Sequence, residues 1–255
     1  MSGFDPVEPE IDDLGDPRSP LSRTLITVAA TAVVVLLVIG LVLGVGRLTR
    51  STETTTDTFA IDPNVPLRFV VENLDVRVVA AETEIITVEV DLVSGWLGTD
   101  FDGEQDRGEV RLSASCLPLL IPGCGGAATI TVPTGTQFEL QAMGRDVDLD
   151  GIDGVATIRT GSGDVTGRDL ALVDLGVTTG SGDVDLEFGQ QPYSVKATTT
   201  SGDVDVAVPQ GDLAYDVVTT SASGDVESDL EPGGDDAEGF IAVESDSGDV
   251  DLRNS

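Results

Sequence analysis

Thr178–Leu186 reads Thr-Thr-Gly-Ser-Gly-Asp-Val-Asp-Leu, and its centre, Ser-Gly-Asp-Val, recurs at Ser162–Val165, Ser181–Val184, Ser201–Val204, Ser223–Val226 and Ser247–Val250. The valines stand 19, 20, 22 and 24 residues apart. Two degenerate copies lie upstream, Gly144-Arg145-Asp146-Val147 and Asn73-Leu74-Asp75-Val76. Self-similarity at a period of about twenty residues marks a repeat architecture, in which one unit cannot bury its apolar face alone.

The residues around each copy alternate with period two. Nine, seven and five positions before the valines stand Ala156, Ile158, Thr160; Leu175, Val177, Thr179; Val195, Ala197, Thr199; Val217, Thr219, Ser221; and Ile241, Val243, Ser245. The degenerate copies supply Phe138, Leu140, Ala142 and Leu67, Phe69, Val71. Two positions after the valine come Leu149, Leu186, Val206 and Leu252, while the positions between are mostly polar. Such alternation is the signature of strands with one buried face. Each unit therefore reads as strand, tight glycine turn, strand and variable return. The returns carry Pro133-Thr134-Gly135, Pro209-Gln210-Gly211 and Pro232-Gly233. The expected fold is all-β: a parallel β-solenoid of about seven coils, regular over 137–252 and irregular over 59–136.

Burying five or six side chains yields roughly 10–15 kcal/mol per unit. Ordering about twenty residues costs roughly 20–40 kcal/mol of backbone entropy. Stacking must supply the rest through shared burial and ladder hydrogen bonds. Thr160, Thr179, Thr199, Ser221 and Ser245 are expected to form an inward hydroxyl ladder beside the turn. Gly163, Gly182, Gly202, Gly224 and Gly248 are expected to supply positive φ at the corner.

In such a stack Asp164, Asp183, Asp203, Asp225 and Asp249 fall in one row, which Asp146 and Asp75 extend. A second acidic row follows at Asp148, Asp185, Asp205, Glu227 and Asp251. Unit charges one strand spacing apart repel by roughly 0.9 kcal/mol in water. Three arrangements offset this: the carboxylates accept turn amides, the serine hydroxyls bridge neighbours, or Ca²⁺ sits between rows. The first row is the candidate metal site.

The remaining chemistry is sparse. The chain has no histidine, so no Ser-His-Asp site can form. It lacks a phosphate-binding Gly-x-x-x-x-Gly-Lys-[Ser/Thr] loop, and its single lysine, Lys196, falls within a strand. Paired carboxylates could serve glycoside hydrolysis, but acids that repeat in every coil are better explained by the repeat. No catalytic residue and no cofactor beyond Ca²⁺ is expected. With 46 acids against 13 bases and a net charge of −33, nucleic acid is excluded as a partner. A basic partner or a cation suits that charge.

Leu25–Gly46 is a run of 22 residues without charge, long enough to span a bilayer as a helix. Arg18 and Arg23 precede it and Arg47 and Arg50 follow, so flanking charge does not fix the orientation. The cysteine pair Cys116 and Cys124 favours an extracytoplasmic location for the chain beyond this run. The expected organisation is a disordered acidic cytoplasmic tail (1–24), a transmembrane helix (25–46), a linker (47–58) and an extracytoplasmic domain (59–255). Cys116 and Cys124 read as a local disulfide or as two unpaired thiols. Val76–Ala80, Ile85–Leu92, Val110–Ala114 and Ala128–Val132 read as strands. The insertion Ser94–Gly108, with Trp96, Leu97 and Phe101, reads as a cap over the first coil or as a contact loop for a partner.

The Gly-Ser-Gly-Asp-Val repeats, the Val-Pro-x-Gly returns and Val71-Glu72-Asn73-Leu74-Asp75-Val76 resemble the adhesin-like bacterial domains of unknown function, over about Phe59 to Leu252. That resemblance implies a β-solenoid on the cell surface, often behind one membrane anchor, with no established activity, ligand or catalytic residue. The expected function is a non-catalytic structural or interaction module contacting an envelope protein or cell-wall polymer. Ca²⁺-dependent sensing or stabilisation, and more remotely a carbohydrate-active enzyme, are the alternatives.

Overall fold

A computed structural model describes residues 51–59, 67–94, 100–106, 108–115 and 125–255. The expected transmembrane helix (25–46), the acidic tail (1–24) and the Cys116–Cys124 pair lie outside the described residues, as do Trp96 and Leu97. Among the described residues no helix is long and apolar enough to cross a membrane.

The described chain forms two stacked-strand sheets, A and B, whose inner faces share one core. The regular part begins with β8 (Gln137–Met143) in sheet B and β9 (Val147–Asp150) in sheet A, joined by the degenerate Gly-Arg-Asp-Val turn. β10 (Asp153–Thr160) continues sheet B. β11 (Val165–Thr179) is long enough to serve both sheets. Its first residues pair with β9 in sheet A, and its last pair with β10 in sheet B. β12 (Val184–Phe188), β13 (Ser194–Thr199) and β14 (Val204–Val208) extend the stack in parallel register. The valine after each turn meets its counterpart: Val147 with Val165, Val165 with Val184, and Val184 with Val204.

The inward set expected from the alternation forms the core except in the repeat before Val226, where Val217, Thr219 and Ser221 are only partly buried. Ile158, Leu175, Val195, Leu186, Val206 and Leu252 are all buried. The hydroxyl ladder is buried with them, at Thr160, Thr179, Thr199 and Ser245.

The stacking order departs from chain order at the C-terminal end. β15 (Tyr215–Ser221) and β16 (Val226–Ser228) follow β14 in sequence, and β17 (Gly239–Ser245) and β18 (Val250–Asn254) come last. Yet β13 pairs with β17, and β14 with β18. β15 and β16 lie beyond them, on the far side of β17 and β18. The last repeat thus occupies the slot that sequential stacking would give to the one before it. The connection 209–214 climbs two levels, and 229–238, which includes the 3₁₀ turn Gly234–Asp236, comes back down one.

The N-terminal end repeats the device. β2 (Leu67–Glu72) and β3 (Leu74–Ala81) sit between β6 (Glu109–Ser115) and β7 (Gly125–Pro133) on one side and β8 and β9 on the other. The coil of β6 and β7 is one the motif does not mark. β4 (Ile86–Ser94) covers β7 antiparallel, and β5 (Asp100–Asp106) covers β6 likewise. One expectation is corrected here. Ser51–Phe59, most of the expected linker, is a strand, β1, antiparallel to β4. Its run of β-branched threonines suits a strand once an edge is offered. The second half of the insertion is a strand as well, β5, laid antiparallel on β6.

Candidate functional site

The Ser-Gly-Asp-Val turns stack directly on one another, and the backbone at the corner forms a ladder of its own. Gly163 N–H donates to the Ser181 carbonyl at 3.0 Å and Gly182 N–H to that of Ser201 at 2.9 Å. Gly202 N–H donates to Ser247 at 3.0 Å, and Gly248 N–H to Ser223 at 3.1 Å. This close stacking explains the glycines better than turn conformation does. Gly182, Gly202 and Gly248 have φ of 152°, 148° and 149°, where glycine is favoured. Gly224 is not among the positive-φ residues, yet a Cβ there would land on the Gly248 carbonyl oxygen, as one on Gly202 would land on Gly182. The shared requirement is the approach of one coil's backbone to the next.

The aspartates of the turn form a continuous chain of side-chain to backbone bonds. Asp146 Oδ1 accepts from Asp164 N–H at 3.1 Å, Asp164 Oδ1 from Asp183 at 2.9 Å, and Asp183 Oδ1 from Asp203 at 2.9 Å. Asp203 Oδ1 then accepts from Asp249 at 2.7 Å, and Asp249 Oδ1 from Asp225 at 2.8 Å. The amide-accepting role read for this row is therefore made by Asp146, Asp164, Asp183, Asp203 and Asp249. Each bond joins an ionised acceptor to a backbone donor, which makes it stronger than a neutral bond. Asp75 is not part of the chain and pairs with Arg145 at 3.8 Å. The hydroxyl ladder runs alongside: Thr179 Oγ1 donates to the Gly163 carbonyl, Thr199 Oγ1 to Gly182, Ser245 Oγ to Gly202 and Ser221 Oγ to Gly248, at 2.7–3.3 Å. Among the described residues no group of three or more acids converges in a metal-holding arrangement.

The second acidic row lies on the outer face of sheet A, in the order Asp185, Asp205, Asp251, Glu227. Arg253 enters it, bonding Asp205 and standing 3.7 Å from Asp251. The hydrogen bond to Asp205 holds the Arg253 guanidinium above its ordinary pKa, and the charges of Asp205, Asp251 and Asp185 add to that. Phe101, one of the three residues of the expected contact loop, packs against the core from β5.

The coil inversion creates a feature absent from the repeat pattern. Where 209–214 skips a level, a cleft of about 430 Å³ opens between it, residues 229–231 and Asn254. Gln191 holds one wall with both ends of its amide: Nε2 donates to the Leu213 carbonyl at 3.4 Å, and Oε1 accepts from Leu213 N–H at 3.2 Å. Gly211 leaves room for that amide, which a Cβ would displace. Tyr215, buried in β15, reaches past the inserted repeat. Its hydroxyl donates to the Pro192 carbonyl at 2.8 Å, and its ring covers Gly239, where a Cβ would lie 2.6 Å from a ring carbon. Burial pushes the Tyr215 hydroxyl up to about 12. Of the residues around the cleft, only Pro209-Gln210-Gly211 stands out in the sequence. The cleft depends on the exchange of two repeats, which local pattern does not encode.

Two sheets of parallel strands, stacked on a glycine corner and joined by in-register hydroxyl and carboxylate ladders, define a β-solenoid domain whose repeated polar groups are architectural. The chain belongs to the Toastrack DUF4097 family, whose model matches residues 99–253. This is an adhesin-like domain family of unknown function, as the motifs suggested. Among solved structures, the chain is similar to a "putative cell adhesion protein" from Clostridium sporogenes, at 13% identity and a TM-score of 0.43, over 80% of this chain and 100% of that one. It is also similar to a "putative adhesin" from Bacteroides fragilis, at 13% identity and a TM-score of 0.48, over 80% of this chain and 98% of that one. No curated protein matches the chain.

Proposed function

We infer that this protein is a non-catalytic interaction module of the cell envelope, anchored through residues 25–46 and presenting a rigid, acidic solenoid to an envelope protein or wall polymer. The observation that carries the reading is the aspartate chain. The residues with the best claim to chemistry, Asp164, Asp183, Asp203 and Asp249, each place Oδ1 on the amide of the neighbouring coil. A carboxylate fixed in that way is a poor general base, because its accepting oxygen is occupied and its role recurs in every coil. What the fold leaves for function is surface, and a surface built on a rigid stack binds without much ordering cost. The uncharged run Leu25–Gly46 supports the anchor.

The test is photo-crosslinking in living cells from positions on the outer faces of sheets A and B, read alongside the envelope phenotype of a strain lacking the domain. Capture of one envelope component from a defined face is the expected result. An absence of crosslinks together with an unaltered envelope would sink the reading, and turnover of a glycan by the purified domain would replace it with an enzymatic one.

A further inference from the structure

We propose that the open end of the stack, formed by β15 and β16, takes up an extended, basic segment of a partner protein as an added strand on β15. The proposal deepens the interaction reading by choosing a polypeptide and a docking edge, and rests on that reading only for where the partner is met. Inside the stack each strand pairs on both sides, as β13 does with β11 and β17. At the N-terminal end β4 and β5, antiparallel to the stack, cover β7 and β6. Nothing among the described residues covers the other end. There β15 pairs with β17 and makes one bridge, Tyr215 to Pro232, while β16 pairs with β18 alone.

The bonds already made fix which groups remain. In a parallel sheet alternate residues serve opposite neighbours. Ala222 N–H donates to the Ser245 carbonyl, so Thr220 and Val218 serve β17, and the backbones of Ser221, Thr219 and Val217 face away from it. Asp229 N–H donates to the Leu252 carbonyl, so those of Val226 and Ser228 likewise face away from β18. At the corner Asp225 gives its N–H to Asp249 and, among the described residues, accepts none from a further coil. Such a row is a template for another strand. β15 lacks the usual safeguards: it is seven residues long, with no proline or lysine. Its inward Thr219 tolerates water while the edge is empty.

Charge selects the occupant. Between Pro209 and Glu238 the chain carries nine acids and no lysine or arginine. Asp216 is exposed on the outer face of β15, and Asp225, Glu227 and Asp229 are exposed along β16. The nearest bases are spent or distant: Arg253 is bonded to Asp205, and Lys196 lies two strands away on β13. A second copy would therefore bring acid against acid, whereas lysines or arginines on the outer face of an incoming strand would be attracted. The other side chains of that strand would face the open end of the core, where Val217 and Val226 are incompletely covered. The occupant is thus an extended segment alternating basic and small apolar residues. Main-chain bonds supply its affinity and the alternation its specificity.

The test uses the full chain in an uncharged detergent at about 0.15 M salt, where diffuse attraction is screened beyond roughly 8 Å. The probe is a labelled peptide, Lys-Val-Lys-Thr-Lys-Val-Lys, followed by fluorescence anisotropy. Its N-methylated counterpart keeps the charge and loses the backbone donors. Thr219→Pro removes an outward donor at an edge, where proline is tolerated, and Asp216→Lys reverses the charge beside it. The expected result is saturable binding, weakened roughly tenfold or more by N-methylation and by either substitution. Circular dichroism checks that each variant is folded. Should Thr219→Pro unfold, the N-methylated peptide and Asp216→Lys decide between them. Absent binding, or binding indifferent to N-methylation or to a folded variant, overturns the proposal. So does self-association of the chain that Thr219→Pro abolishes, which would give the edge to a second copy. Crosslinks from the outer faces of sheets A and B are read without the peptide, so the two readings fail separately.

Discussion

The backbone N–H of Asp249 donates to Oδ1 of Asp203 at 2.7 Å, although 46 residues separate them. In a stack that followed chain order, Asp203 would receive Asp225, whose N–H goes to Asp249 instead. Both orders make the same turn contacts, so the turns do not choose between them. The inward side chains do. The repeat around Val226 carries Thr219 where others carry Ile158, Val177, Ala197 and Val243. It carries Ser228 where they carry Leu149, Leu186, Val206 and Leu252. At the end of the stack these polar residues keep contact with water, and Val226 itself is 44% exposed. The more apolar last repeat is buried on both sides, with Val250 at 1% and Leu252 at 0% exposure. Exchanging the two would expose a leucine and bury a serine, and burying an aliphatic side chain is worth roughly 1.5–3 kcal/mol. A polar terminal coil is also the usual device for ending a repeat array.

This account is tested by comparing Leu252→Ala with Ser228→Ala in urea. Leu252 is fully enclosed, so its truncation is expected to cost about 2–4 kcal/mol. Ser228 is exposed at the stack end, so its change should stay within about 0.5 kcal/mol. Comparable losses at both positions would indicate the sequential order.

The role of the aspartate chain is separable by substituting Asp203. Asp203→Ala strands the Asp249 amide and is expected to destabilise by about 1 kcal/mol. Asp203→Asn keeps an acceptor and removes a repelling charge, so its loss should be smaller, and at low salt it is expected to approach zero. Thermal unfolding with Ca²⁺ and with chelator, at fixed ionic strength, gives the second readout. Wild type and Asp203→Asn should respond alike if the amide bond is the whole role. A Ca²⁺ shift lost only in Asp203→Asn would assign a cation to the row.

The sequence made the solenoid legible because its signals are local and periodic. Alternation located the inward faces, and the recurring turn fixed the register that pairs Val147, Val165, Val184 and Val204. The hydroxyl and carboxylate ladders followed from that register. Level order was not legible, because it rests on a small difference in inward polarity between two otherwise equivalent repeats. The cleft was hidden for the same reason: Gln191, Leu213 and Tyr215 meet only once a connection skips a level. β1 and β5 were masked by polar composition. Threonines such as Thr54, and acids such as Asp102 and Glu104, become strands because β4 and β6 offer them edges.

The glycine corner makes a sharp contrast with glycines in open turns. Gly202→Ala would set a methyl on the Gly182 carbonyl group, whose backbone cannot give way, at a φ of 148°. A loss of roughly 2–4 kcal/mol is expected, or failure to fold. Gly135 also has positive φ, at 72°, but open space around its Cα. Gly135→Ala should cost only about 1 kcal/mol. Circular dichroism with chemical denaturation compares them. Equal penalties would mean that conformation, and not coil approach, sets the requirement.

Tyr215 links stability to pH through the inserted repeat. Its hydroxyl titrates at about 12 in the folded protein, against about 10 for an unfolded tyrosine. The folded state therefore binds the proton more tightly. Between about pH 10 and about pH 12 the unfolded chain loses that proton first, so stability falls as pH rises. Below about pH 10 the contribution is fully present. Tyr215→Phe removes the group, so the stability curve over that window should lose the corresponding part of its slope. At neutral pH the same variant leaves the Pro192 carbonyl without its donor, at an expected cost of about 1–2 kcal/mol. Because the ring still covers Gly239, the repeat should remain inserted, and the cost should come from the hydroxyl alone. Denaturant titrations of both proteins at neutral pH and at pH values across the window measure the two effects. An alkaline slope that Tyr215→Phe leaves intact would show that another group, and not the Tyr215–Pro192 bond, carries it.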